Sequence, residues 1–189
     1  MPIVQMHLIQ GYDGDTKRRL GEAVTDAIGA VIAAPPEAVT VMISEHAGED
    51  YMRGRMHRSP APALPDPCAI VRAYLAEMEA RALDAARARL GEGFTMRFPS
   101  VAPMTMLEEL IDWSRPRYRF VKKTIEAVDL APAPGTASAN AIVYVTGTLH
   151  GEWPDGTPFE GIRFIDRFEL TDGLITRQDV WNDIAEERP

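Results

Sequence analysis

The chain has 189 residues, enough for one large domain or two small ones, and its 46% apolar content suits a packed core. A formal charge of -8, with no basic stripe interleaved with aromatics, argues against nucleic-acid binding, and the lone Cys68 leaves no disulfide framework and no thiolate metal site. No basic-then-apolar leader is present, nor any apolar run of about 18 residues, so the expected setting is cytoplasmic and off the membrane.

Proline stands second, at the head of an apolar, β-favouring run over residues 3–9. Loss of Met1 would leave Pro2 as a secondary amine at a strand end. An α-amino group titrates near ~7.7–8.0, and apolar burial or neighbouring cations lower that value. Such an amine is neutral near pH 7 and serves as general base or as nucleophile towards carbonyls. Residues 11–15 break the strand and offer aspartates as helix caps. From Thr16 onward, Leu20, Ala23, Val24, Ala27, Ile28, Val31 and Ile32 recur at helical spacing until Pro35-Pro36 stops the run. Residues 39–44 alternate as a strand. Two strands bridged by a helix predict a parallel pair with a right-handed crossover. A unit of residues 1–57 built this way leaves a sheet edge and much apolar surface uncovered, which predicts a homo-oligomer (dimer, trimer or hexamer).

Residues 58–67 carry four prolines and read as a stiff linker, followed by a second domain over 68–189. A second Pro/Gly/Ala stretch, residues 131–136, reads as a loop within that domain. Helices are expected over 68–90, with Ile70, Val71, Tyr74, Leu75 and Met78 on one face, and again over 104–113. Between them residues 94–98 alternate as a strand, and long strands are expected over 118–130, 139–153, 159–170 and 174–181. Asp155-Gly156 and Asp172-Gly173 carry hairpin chemistry. Helices followed by a curved, mainly antiparallel sheet define an α+β class.

The N-terminal residues Pro2-Ile3-Val4-Gln5, Gly11, Ala34-Pro35 and Val41-Met42-Ile43-Ser44-Glu45 together resemble the tautomerase superfamily in its 4-oxalocrotonate tautomerase group. The resemblance implies Pro2 as catalytic base, no cofactor, and pockets built by several subunits. Where founding members place carboxylate-binding arginines, this chain has Tyr12 and Thr40, so a dicarboxylate dienol fits poorly. The pocket-wall aromatic is matched by Tyr51, and Arg53 or Arg55 (or Arg58) offers a replacement cation. Catalytic candidates are therefore Pro2, Tyr12 and Tyr51, with Thr40, Arg53 and Arg55 in substrate binding. His7 reads as a hydrogen-bonded structural residue of the first strand, while His46 and His57 fall in turn-like segments without a spaced partner. No metal site is expected.

In the second half, Tyr74-Leu75-Ala76-Glu77-Met78, Gly93-Phe94-Thr95-Met96, Phe164-Ile165-Asp166-Arg167-Phe168 and Asp172-Gly173-Leu174 together resemble the nuclear transport factor 2-like fold, in its polyketide-cyclase and ketosteroid-isomerase branch. By this resemblance Tyr74 would donate to an enolate beside a protonated Asp166, whereas the base position falls on Phe98, which takes no proton. His150, Glu160, Asp179 and Asp183 are candidate substitutes, and Arg163 or Arg167 is an alternative ion-pair partner for Asp166.

The expected function is a keto–enol tautomerase acting on a small carbonyl or enol compound, fused to a pocket for a related hydrophobic ligand. The alternatives are isomerase or cyclase chemistry in the second pocket alone, and a non-catalytic small-molecule-binding oligomer.

Overall fold

A computed structural model describes residues 1–133 and 140–185. Two compact units divide it, Met1–Ala63 and Leu64–Pro189.

In the first unit, β1 (Ile3–Ile9) and β2 (Thr40–His46) pair in parallel, Ile3 opposite Thr40 through Ile9 opposite His46. Asp13 caps the intervening α1 (Gly14–Gly29), accepting from the Thr16 N–H at 2.8 Å, which satisfies one of the amides orphaned at a helix start. Val4, Met6, Val41 and Ile43 are half-buried on the face that carries Glu45, which Lys17 of α1 reaches at 2.8 Å. Ile3, Gln5, His7, Met42 and Ser44 occupy the other face and are exposed. The helix stops at Gly29, so Val31 and Ile32, expected on its apolar stripe, lie beyond it at 85% and 52% exposure. A short hairpin, β3 (Met52–Arg53) and β4 (Met56–His57), follows β2 and places His57 in a strand, where a turn-like segment was expected. Gly54 and Arg55 turn it with positive φ at both positions, the hand that matches strand twist. Two-residue strands are too short for any periodicity to reveal. No residue of this unit reaches full burial.

The linker prolines are not loose. Pro60 packs against Gly11, where an added Cβ would meet its ring at 3.0 Å, and Pro65 packs against Gly173, where the distance would be 2.9 Å. Each end of the run thus belongs to its own unit.

The second unit holds α2 (Pro67–Glu79), α3 (Leu83–Arg87) and α4 (Leu107–Ser114) against a five-stranded sheet. Its strands are β5 (Leu90–Arg97), β6 (Phe120–Pro132), β7 (Ala141–Glu152), β8 (Pro158–Thr171) and β9 (Leu174–Asn182), in the order β5-β9-β8-β7-β6. All pairs are antiparallel except β5 with β9, which is parallel. The expected loop over 131–136 is described only as far as Ala133, and its remainder lies outside the described residues. A bulge between Ile125 and Ala127 bends β6 over β7 beside Gly147, where a Cβ would sit 2.0 Å from the Thr124 carbonyl oxygen. The curvature folds the inner face into a cone closed by α2 and α4. Alternation along β7 and β8 sends Val143, Val145, Leu149, Ile162, Phe164 and Phe168 inward. Phe168, fully buried, meets the ring of Tyr74 edge-on at 5.9 Å between centroids.

Phe168→Ala removes that ring from the centre of the cone and is expected to cost about 3–5 kcal/mol in urea unfolding. A loss below ~1 kcal/mol would show that the cone is not held by this contact.

Candidate functional site

The strand pairing of the first unit decides which of its candidates can meet. Pro2 precedes β1, its carbonyl accepting from the Thr40 N–H at 3.0 Å, so Pro2 and Thr40 stand together at the N-terminal ends of the two strands. Tyr12 follows the C-terminal end of β1, and Tyr51, Arg53 and Arg55 follow that of β2. Because the strands run parallel, seven residues at ~3.3 Å each put these groups roughly 20 Å from Pro2. Within one chain the strand pairing brings Pro2 to Thr40 and leaves Tyr12 at the other end. Tyr51 is 37% exposed, and Arg53 and Arg55 stand in or beside the exposed hairpin. Met1 precedes Pro2 at 90% exposure, and while it is attached the Pro2 nitrogen is an amide.

On the open face of this sheet His7 and His46, from adjacent strands, meet at 2.8 Å between Nδ1 and Nε2 with their rings stacked. His7 is thus hydrogen-bonded, as expected, though exposed. His46 lies within β2 and does have a partner, contrary to the sequence reading, because parallel register places it across from Ile9 beside His7.

The second unit contains a cavity of about 630 Å³ inside the cone. Phe98, Leu110, Trp113, Val121, Leu149 and Phe164 are among its apolar walls, and Tyr74, Lys123 and Gln178 are its inner polar groups. Phe98 leans on Trp113 at 5.4 Å between centroids and is a wall, with no capacity as a base. Beneath the lining sits Asp166, with no exposure at all. Its Oδ2 accepts from the Lys123 ammonium and, at 3.1 Å, from Gln178 Nε2. A carboxylate only accepts, so Gln178 must turn its NH2 towards Asp166 and its Oε1 the other way. The Tyr74 hydroxyl donates to that Oε1 at 3.2 Å. The direction of the whole relay follows from the charge of Asp166. Burial first, and the nearby Asp166 charge second, push the Tyr74 phenol above the usual tyrosine range, so it stays a donor.

This geometry corrects several expectations. Tyr74 spends its proton on Gln178 instead of presenting it to a ligand. Asp166 accepts from a lysine at Oδ2 while its Oδ1 is buried without a partner, and the partner is neither alternative arginine. Arg163 pairs with Asp183 at 2.7 Å, and Arg167 pairs with Glu169 at 2.7 Å. His150 does not line the cavity. It belongs to the outward-facing set of β7 and lies 3.4 Å from the Thr124 hydroxyl. Of the other substitutes for the missing base, Asp179 pairs outward with Arg177 at 2.8 Å, and neither Glu160 nor Asp183 borders the cavity.

The groups the sequence reading passed over are Lys123 and Gln178. An ammonium has three N–H groups, and Asp166 occupies one, while the charge also lies 4.2 Å over the Phe164 ring. The signal for Lys123 was present: it alternates with Val121 and Ile125 at inward positions of β6. A lysine inside such a period asks for a buried counter-charge. Among the described residues no three metal-ligating side chains gather, and no helix is long and apolar enough to cross a membrane.

Comparison with known proteins assigns both units. A model described as SnoaL-like domain matches residues 71–178, more than half the chain, and one described as tautomerase enzyme matches residues 2–57. The chain belongs to the SnoaL-like domain family and carries a tautomerase-family unit ahead of it. A probable tautomerase of Halalkalibacterium halodurans is 37% identical over 51 residues, which is 27% of this chain and 84% of that relative. A putative SnoaL-like polyketide cyclase from Jannaschia shares the second fold with a TM-score of 0.54 at 17% identity, over 69% of this chain and 94% of its own. An NTF2-like protein of unknown function from Burkholderia pseudomallei does so with a TM-score of 0.53 at 13% identity, over 66% and 95%. The two families point to isomerase-type or cyclase chemistry.

Replacing Lys123 by methionine strands the Asp166 charge in the core, and the expected loss is about 3–5 kcal/mol of stability. Adding Asp166→Asn should recover most of it. A double-mutant cycle by urea unfolding reads the coupling, and additive losses would mean that the two side chains do not depend on each other.

Proposed function

We propose that the chain is a keto–enol tautomerase that uses Pro2, freed of Met1, as its general base on a small carbonyl or enol compound. The observation that carries this reading is the position of Pro2 at the head of β1, where the tautomerase match also begins. The amine removes a proton alpha to the carbonyl, a donor stabilises the enolate, and the amine returns the proton at the second site. Within one chain the donors Tyr12 and Tyr51 lie at the far ends of the strands, so a second copy supplies them. The active form is accordingly a homo-oligomer. The open sheet face supports this, with Ile3 at 65% and Met42 at 43% exposure in a unit that fully buries nothing. The reaction needs no cofactor, and the SnoaL-like cone binds or processes a related hydrophobic compound.

A second reading rests on the Lys123–Asp166–Gln178–Tyr74 relay: isomerase or cyclase chemistry inside the cone, with the first unit serving assembly. There the Lys123 cation would stabilise an enolate in an apolar cavity, where such charge counts for more than in water.

Intact-mass measurement should show the chain short by one methionine, and Pro2→Ala should lower ketonisation of phenylenolpyruvate by a hundredfold or more, on the order of what a positioned base contributes. Unchanged turnover would remove Pro2 from the mechanism and leave the cone as the candidate centre, to be checked with Lys123→Gln.

Ile3→Glu places a charge on the open face. Sedimentation should then show a smaller species, with ketonisation lost in parallel. An active, monomeric Ile3→Glu chain would sink the shared-site account.

A further inference from the structure

The cavity of the cone is unlike the rest of the molecule in sign. The chain as a whole carries 28 acidic and 20 basic residues. Among the described residues that line the cavity the basic ones are Arg72, Arg81, Lys122 and Lys123, and the acidic one is Glu79. Glu79 lies 3.7 Å from Lys122, and Lys123 is matched by Asp166 below. Arg72 and Arg81 are exposed and form no ion pair among the described residues. Arg72, Ala76, Glu79 and Ala80 follow one another at the spacing of a single face of α2, and Arg81 comes directly after that helix's C-cap. The small Ala76 and Ala80 leave the rim between the cations open.

Hydrogen-bonding character agrees with the charge. Lys123 lines the cavity and gives one of its three N–H groups to Asp166. The Trp113 indole N–H is buried without a partner and is closed off from the cavity. Tyr74 and Gln178, by contrast, are committed to each other and to Asp166. The site therefore presents donors and positive charge around an apolar middle walled by Phe98, Leu110, Val121 and Phe164.

The geometry points to a ligand class: a ring-bearing carboxylate whose apolar body fills the cone. Its carboxylate is drawn to the rim cations, Arg72 or Arg81, and an acceptor oxygen at its other end is met by Lys123. The inference rests on reading the cone as a ligand pocket and adds the charge and polarity of what enters it.

Three probes with one ring system separate the possibilities: 2-naphthoate, neutral 2-naphthamide and cationic 2-naphthylmethylamine, titrated calorimetrically into the full chain at low and high salt. Naphthoate is expected to bind about tenfold more tightly than naphthamide, with the cation weakest and the naphthoate advantage shrinking as salt rises. In the double variant Arg72→Gln/Arg81→Gln that advantage should disappear while naphthamide binding persists. Equal affinity of naphthoate and naphthamide, or a preference that survives the double variant, overturns the inference and leaves the pocket reading intact. If no probe binds, or if Leu110→Trp, which fills the cavity, leaves binding unchanged, the pocket reading fails and the inference falls with it.

Discussion

A carboxylate with no access to water organises the cone. Asp166 stands mid-strand in β8 among Phe164, Phe168 and the core valines of β7. A charge in that position is tolerated only with a counter-charge and hydrogen-bond donors around it. At Oδ2 Lys123 supplies the first and Gln178 the second, with Oδ1 left buried and unpartnered, and Gln178 in turn commits Tyr74. One buried negative charge thus determines which polar atoms of the cavity are already taken and which remain for a ligand.

The first unit works under a different constraint. Two parallel strands and one helix have a second sheet face with no cover of their own, and single-chain burial there is incomplete throughout. Parallel pairing also sends Pro2 and the two tyrosines to opposite ends. The same topology that exposes the apolar face separates the base from its proposed donors, and one event, association of copies, would remedy both.

The two units place complementary groups in one chain. The first carries a proline whose amine is the proposed base, and the second a lysine cation within an apolar wall. Enol and enolate chemistry has use for each, a proton acceptor in one case and a stabiliser of developing negative charge in the other.

Local pattern was enough for the elements. Residues 3–9, the body of the helix from Thr16 though not its end at Gly29, the turn at Asp172-Gly173 and the long strands of the cone could be read from alternation, helical spacing and turn residues, because these depend on neighbours in the chain. The resemblance of each half to its family was likewise legible in Pro2-Ile3-Val4-Gln5 and in the segment around Asp166. The partners of Asp166 were not. Its own strand offered Arg163 and Arg167, but alternation turns both of these to the outer face, and the inward cation comes from β6, 43 positions earlier in the chain. His7 with His46, and the distance between Pro2 and Tyr51, were settled in the same way, by the register of strands far apart in sequence. Sequence by itself determined which residues form strands and helices, since that is a short-range matter of backbone preference and apolar period. Only the tertiary structure decided which charged and polar groups face one another, since that depends on how distant strands are aligned and on which side of the sheet each side chain emerges.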